Sequence, residues 1–256
     1  MLPPPLVGKT FSPHVALLPY LGHQAIYDTI DFRVRPGMLR MPQHVTVAGT
    51  AIAEFLCPSD RGSIDGRNSY GCNTGFGWNR SGISDNGVFV TPSRRQPMSV
   101  SIADVRDGTS RTVAMTEWVM GNYPRDLNKL EKEPRPAQMT VFQTPMIKDF
   151  DHFVSTCHDV NMHTCQIGPF GGKGLNWLLG GHGATLYNHD LGINDHSCMN
   201  ASSVVRGAWT AGSRHPHGAN ALFVDGHVSF INQSVSLAVW RALATRRGED
   251  GPQDGF

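Results

Sequence analysis

The sequence predicts an α+β fold, with helices near the amino end, an antiparallel sheet, long irregular loops and a C-terminal helix. Three observations indicate this class. Residues 11–32 carry helical signals, residues 219–231 are typical of a β-hairpin, and residues 234–247 carry helical periodicity again. The 28 glycines and 17 prolines favour many turns between these elements and argue against a helical bundle.

The composition is that of a globular protein with no strongly charged surface. Apolar residues make up 39% of the chain, charged residues 17%, and the mean hydropathy is −0.26. The formal net charge is +1, so a basic surface for nucleic acid is not expected. No apolar run approaches the ~18 residues that a membrane-spanning helix needs, and we expect no membrane contact from this stretch.

We interpret the 256 residues as a single domain. Its successive regions are a loose amino terminus (1–10), a helical segment (11–32), first strands and loops (33–120), a loop-rich insertion (121–212), a hairpin with a C-terminal helix (213–247) and a tail (248–256).

The helical segment reads as helix, break, helix. Ser12 can cap the first helix, with Pro13 at its first position, and Gly22 interrupts an apolar stripe that continues to Ile30. Further along, a helical turn is predicted in residues 101–110.

The first half of the chain also contains candidate strands. Residues 88–90 and 112–119 are predicted as strands, and residues 51–57 as a strand or helix end. Residues 121–200 show the least regular pattern.

The hairpin prediction rests on Asp225 and Gly226, which stand between two short apolar runs. This pair is favoured in two-residue turns, because both central residues need positive φ. Both faces would be largely apolar, so we place the hairpin inside a sheet with at least one face covered. The predicted register pairs Val224 with His227, Phe223 with Val228, and Ala221 with Phe230.

The C-terminal helix is predicted to begin after Ser234 or Ser236 and to continue through Arg246, with Gly248 ending it. Its apolar face would consist of Val235, Val239, Ala242 and Leu243, with Trp240 beside it.

Several separated motifs stand out along the chain. They consist of Cys57, Pro58 and Asp60; Asp107, Gly108, Thr109, Ser110 and Glu117; and His215, Asn220, Asp225 and Gly226. In their order they resemble the motifs of a bacterial family of prepilin-like envelope proteins, which is named for an H-x9-DG motif and has no assigned biochemical function. Residues 12–31 are similar to that family's amino-terminal segment, and Arg111 stands where the family usually has Asn.

This resemblance implies a pilin-like head, in which the first helices pack on the sheet and follow a membrane helix. It implies a non-enzymatic protein of the cell envelope or extracellular space, acting in assembly or surface display. Other pilin-like subunits or envelope components would be its partners. The family's prepilin leader and long apolar helix are not found in these residues, so anchoring would depend on a segment outside them.

The cysteines leave two alternatives open. None of the five forms a C-x-x-C pair, which disfavours zinc ribbons and thioredoxin-like chemistry. They are either buried thiols or, in the oxidising compartment that the resemblance implies, partners in one or two disulfides. Cys157 and Cys165 are the candidate pair because they are close in sequence.

Metal chemistry is the less favoured interpretation. His215, His217, His227 and Asp225 surround the hairpin, but an extended strand would hold His215 and Asp225 ~20 Å apart. We therefore expect the two to act separately and predict no metal site.

A structural calcium ion is an alternative that the resemblance implies, because pseudopilins have a calcium-stabilised loop. Candidate loops are residues 59–65, 85–86 and 188–195. None has EF-hand spacing, and Asx turns explain these residues more simply.

Two further functions stay open. Trp78, Trp118, Trp177 and Trp209 could line a cleft of a glycan- or solute-binding module, using the loops of residues 61–87 and 165–200, although such aromatics are more often core residues. A metal-assisted hydrolase ranks third, since no G-x-S-x-G elbow or Walker A loop is present.

Overall fold

A computed structural model describes most of the chain. The described residues are 11–33, 42–60, 65–78, 84–90, 100–121, 136–162, 164–168 and 172–248. The expected loose amino terminus (1–10) and the expected tail beyond residue 248 lie outside these ranges. Within them, no helix has both the length and the apolar character that crossing a bilayer requires.

The α+β prediction is confirmed, and the strands form two mixed sheets. The first has the order β5 (Leu186–Tyr187), β1 (Tyr70–Asn73), β2 (Val113–Glu117), β8 (Gly218–Phe223) and β9 (Val228–Asn232). The second has the order β4 (Gln166–Ile167), β3 (Val141–Thr144), β6 (Ser197–Asn200) and β7 (Ser203–Ala208). Neither sheet is purely antiparallel as expected, because β1 and β5 pair in parallel, as do β3 and β6.

Short helices surround the sheets. They are α1 (Pro13–Leu17), α2 (Gln24–Asp28), α3 (Pro42–Gly49), α4 (Pro136–Met139), α5 (Phe150–His158) and α6 (Leu237–Ala242), with 3₁₀ turns at Leu18–Leu21, Ala53–Phe55 and Ile102–Asp104.

The amino-terminal helices follow the predicted pattern. The Ser12 hydroxyl accepts the Val15 N–H at 3.4 Å, and Gly22 ends the following 3₁₀ turn at φ +83°. The ring of His14 lies against β1, with its Nδ1 4.0 Å from the Cys72 sulfur. A first core cluster joins this segment to later loops; its buried members include Phe11, Val15, Leu18, Ile52, Phe55, Trp177 and Leu178.

The hairpin is present, but its predicted register is wrong by one residue. Leu222 lies opposite Val228, and the Phe223 N–H donates to the His227 carbonyl. The loop therefore has three residues, and Gly226 closes it at φ +96°, as in a turn followed by a G1 bulge.

A shift of one residue exchanges the faces of a strand. Ile231 of β9 consequently lies on the covered face with Ala221 and Phe223. Val228 and Phe230, which the predicted register would place beside Phe223 and Ala221, are 62% and 48% exposed.

Helix α6 is shorter than predicted, ending at Ala242 instead of continuing through Arg246. Ser236 is its cap, since its hydroxyl accepts the Val239 N–H at 3.3 Å. Val239 is half exposed, whereas Trp240 is fully buried and stacks on His189 with ring centroids 3.8 Å apart. Trp240 therefore makes the main contact with the core.

The supposedly irregular region contains the second sheet. Strands β3 and β6 and helix α5 lie within residues 121–200, which were expected to be the least regular part of a loop-rich insertion, and β7 follows directly. Conversely, residues 88–90 form buried bends and no strand. The predicted strand at residues 112–119 is confirmed as β2.

One disulfide joins Cys157, in α5, to Cys198, in β6, with Cα atoms 5.9 Å apart. The predicted pairing of Cys157 with Cys165 is therefore wrong. Cys165 is a free thiol that donates to the Gln143 carbonyl at 3.4 Å. Closeness in sequence fails here because Cys157 turns into the core between α5 and β6, while Cys165 lies directly before β4.

Candidate functional site

Three of the predicted motif residues meet at one point. The sulfur of Cys57 lies 3.6 Å from Oε1 of Glu117 and 3.7 Å from Nε2 of His215. The same Nε2 and Oε1 atoms lie 3.3 Å apart. Each residue comes from a different motif, and the chain separations are 60 and 158 residues from Cys57. We call these three residues the Cys-Glu-His cluster.

The backbone around the cluster explains its arrangement. Cys57 follows the 3₁₀ turn at Ala53–Phe55, and Glu117 is the last residue of β2. Oε2 of Glu117 accepts the backbone N–H of Asn220 in β8 at 2.7 Å, which directs Oε1 toward the other two residues. His215 precedes β8, and its N–H donates to the Ser213 hydroxyl at 3.0 Å.

The cluster is buried on one side and open on the other. Cys57 and Glu117 are 8% and 4% exposed, whereas the side chain of His215 is 33% exposed. Burial raises the pKa of the Cys57 thiol, and the neighbouring Glu117 carboxylate acts in the same direction. The backbone N–H groups of Ser59 and Asp60 oppose this effect on the pKa by stabilising the thiolate.

Asp60 anchors the loop that carries Cys57. Its Oδ1 accepts Nε–H of Arg214 at 2.9 Å, and its Oδ2 accepts the Met120 N–H at 2.8 Å and the Ser69 hydroxyl at 3.2 Å. Both members of the Asp60–Arg214 ion pair are almost fully buried. This anchor fixes the approach of residues 57–60 to the segment before β8.

Lys173 is a second buried cation of this region, and sequence patterns did not reveal it. Its Nζ donates to the Thr210 carbonyl at 3.1 Å, and burial lowers its pKa to about 7, against the opposing charge of Asp60. The sequence analysis also did not single out Arg214, although this residue directly precedes the motif residue His215.

The motif at residues 107–110 joins the segment after α6 to the first sheet. The Asp107 carboxylate accepts the Thr245 hydroxyl at 2.8 Å and also the Gly248 N–H, and the Thr109 carbonyl accepts the Asp225 N–H at 3.1 Å. Gly108 adopts φ +102°. Among the remaining motif residues, Pro58 and Ser110 are exposed.

His215 and Asp225 lie in different surroundings, as predicted. Oδ1 of Asp225 accepts the backbone N–H of His227 at 3.1 Å and lies 2.7 Å from Nδ1 of the same residue. The backbone hydrogen bond, and after it the side-chain contact, lowers the pKa of Asp225. Among the described residues, the ligand-type cluster does not include His217, His227 or Asp225. The histidines of the hairpin thus do not form one group, and His215 has different neighbours from those considered in the sequence.

Several polar groups of the candidate calcium loops bond within the protein, whereas Oδ2 of Asp190, in the 188–195 loop, has no hydrogen-bond partner among the described residues. Asn188 donates to the Gly207 carbonyl at 2.8 Å and accepts the Trp209 N–H at 2.9 Å. The Asp195 carboxylate lies 2.8 Å from Nδ1 of His158. In the part of the 59–65 loop that is described, Asp60 is held by Arg214.

Three of the four tryptophans proposed for a cleft are core residues, and the fourth, Trp78, is partly buried and packs against the core. Trp118, Trp177 and Trp209 are at most 1% exposed, and Trp78 stacks on Phe153. A separate cleft of about 630 Å³ lies beside α6. Its lining includes Phe76, Asp107, Arg111, Val239, Arg241 and Thr245.

The family model described as protein of unknown function (DUF1559), SBP_bac_10, matches residues 3–238. The chain belongs to this family. No curated protein and no solved structure matches it. DUF1559 has no assigned function, so a functional interpretation has to come from the residues themselves.

Proposed function

We propose that this DUF1559 protein is a non-enzymatic, prepilin-like protein of the cell envelope, which acts in assembly or surface display. The observation that carries the proposal is the role of its motif residues. They bond to parts of the chain that are distant in sequence: Asp107 to Thr245, Thr109 to Asp225, and Glu117 to Asn220. Motifs of this kind serve to hold a scaffold together.

The disulfide supports an envelope location. Cys157 and Cys198 are fully buried and join α5 to the second sheet. Disulfides persist in oxidising compartments and are rare in the cytosol of most organisms. An extracytoplasmic scaffold would benefit from this bond, because a closed loop of this length restricts the unfolded chain.

The glycan- or solute-binding alternative has less support, because three of the four tryptophans expected to line a cleft, Trp118, Trp177 and Trp209, are buried in the core. In the described part of the 61–87 loop, the Ser69 hydroxyl donates to the motif residue Asp60 at 3.2 Å, a contact that suits a loop displayed on a fixed scaffold. Partners of the same pilin-like class fit this proposal.

Fractionation of the native cells tests the proposal. Free thiols are blocked at the moment of lysis, and the protein is then located by immunoblotting and its Cys157–Cys198 peptide by mass spectrometry. We expect an envelope or extracellular protein in which this pair is oxidised and Cys165 is alkylated. Cross-linking in whole cells should give adducts with itself or other envelope proteins. A cytoplasmic protein with reduced Cys157 and Cys198 would refute the proposal.

A further inference from the structure

We propose that Cys57, Glu117 and His215 bind one zinc ion. The three residues supply a thiolate, a carboxylate and an imidazole, which are the three ligand types that zinc accepts in proteins. Their ligand atoms all lie within 4.8 Å of one another. This inference does not depend on the proposed envelope function.

The distances between the ligand atoms match a zinc tetrahedron. With bonds of ~2.3 Å to sulfur and ~2.1 Å to nitrogen and oxygen, the tetrahedral edges are about 3.6 Å from sulfur to either atom and about 3.4 Å from nitrogen to oxygen. The observed distances are 3.6 Å for sulfur to oxygen, 3.7 Å for sulfur to nitrogen and 3.3 Å for nitrogen to oxygen. Zinc can therefore enter with little movement of the side chains.

The surroundings hold two of the ligands in place. The Asp60 N–H donates to the Cys57 carbonyl at 2.9 Å, which fixes the turn that carries the sulfur. The Asn220 N–H fixes Oε2 of Glu117 at 2.7 Å and leaves Oε1 directed at the cluster. Such outer contacts orient ligands and tune a bound metal.

The choice of zinc follows from the donor set. A thiolate disfavours magnesium and calcium, which prefer sites made of oxygen atoms, whereas a mixed sulfur, nitrogen and oxygen set suits zinc. A fourth ligand would come from solvent on the side of His215, whose side chain is 33% exposed. The ion would join the loop after residue 55, the end of β2 and the segment before β8.

Metal titration of the full chain tests the site. Apo protein, prepared with a chelator, is titrated with Co²⁺ and followed by absorbance, and zinc affinity is measured by competition with a chromophoric chelator. We expect one equivalent of Co²⁺ to give a thiolate-to-cobalt charge-transfer band and a tetrahedral ligand-field spectrum, both abolished by one equivalent of zinc. Zinc should also raise the melting temperature.

Matched variants assign the ligands. His215→Gln and Cys57→Ser should weaken zinc binding by at least about 100-fold, because loss of an outer contact alone weakens it ~10–100-fold. Cys165→Ser and His227→Gln are the controls, since they remove a free thiol and a hairpin histidine outside the cluster. Both controls should bind zinc as the wild type does.

Two results would overturn the proposal. The first is a wild-type Co²⁺ spectrum without a charge-transfer band, a readout that does not depend on any variant folding. The second is zinc binding that Cys165→Ser or His227→Gln abolishes while Cys57→Ser retains it, which would show adventitious binding elsewhere.

Discussion

Asp190 is a carboxyl group whose surroundings disfavour its ionised form. It is fully buried; its Oδ1 accepts the Gly77 N–H at 2.8 Å, and Oδ2 has no hydrogen-bond partner among the described residues. Burial raises its pKa from 3.8 to about 7, although the Gly77 N–H and the charge of Arg241 act in the opposite direction. The folded state consequently favours the protonated form.

This shift predicts a pH dependence of stability. Between pH 3.8 and about 7 the folded state holds a proton that the unfolded state has lost. The contribution of Asp190 to the free energy of unfolding should therefore fall as pH rises through this window, by up to about 1.4 kcal/mol per pH unit, with no further fall above it. Burial lowers the pKa of His14 and His182 to about 4 and that of His189 to about 3, which changes stability in the opposite direction. The difference between the wild type and an Asp190 variant isolates the Asp190 contribution. Asp190→Asn stays neutral and keeps an acceptor for Gly77, so it should gain stability over the wild type across the same window.

Urea denaturation between pH 4 and 8 measures the effect. Asp159→Asn, at an exposed position after α5, is the control and should follow the wild-type profile. Parallel profiles for Asp190→Asn and the wild type would show that the carboxyl group is already ionised at pH 4.

At the scale of elements, the hairpin depends on one glycine. Gly226 adopts φ +96°, yet an added Cβ would meet nothing within 4 Å, so a substitution there tests backbone conformation alone. Gly226→Ala should lower the free energy of unfolding by about 1–2 kcal/mol, because a left-handed conformation costs this much in residues with a Cβ. Gly192→Ala, also in open space but without a positive φ, should change it little. Thermal and urea denaturation of both variants measure the difference; equal stability of the two would refute the role of φ at residue 226.

The same hairpin shows which parts of an element can be predicted from sequence. Asp225 and Gly226 revealed the turn because their conformational preferences are local. The register depends on whether one or both of them lie at positive φ, and here only Gly226 does. The second sheet escaped prediction because β3 and β6 pair in parallel across more than 50 residues.

The residues of the candidate site could be predicted from sequence, but their convergence could not. Cys57, Glu117 and His215 were each marked by their motifs, but a motif contains no information about which distant segment it will meet. Their convergence follows from the pairing of β2 with β8 and from the Asp60–Arg214 anchor. Lys173 had no local signal, since a buried lysine looks in sequence like any other lysine.

At the scale of the whole molecule, one core cluster connects both sheets. Tyr187 and Ala219 come from the first sheet, Val141 and Met199 from the second, and Trp240 of α6 packs with them. All five are at most 1% exposed. A core shared in this way predicts that the two sheets unfold together.

Two local reporters can test this cooperativity. Thiol labelling of the buried Cys72 reports on the first sheet, and hydrogen exchange of residues 197–200 reports on the second. Both should show the same midpoint in urea, as a two-state transition requires. Trp240→Ala should lower the free energy of unfolding by about 3–5 kcal/mol, as expected for a buried aromatic residue, and should shift both midpoints together. Tyr20→Ala, at an 86% exposed position, should shift neither midpoint. If residues 197–200 exchanged while Cys72 stayed protected, the sheets would be separate cooperative units, and the interpretation as a single domain would be wrong.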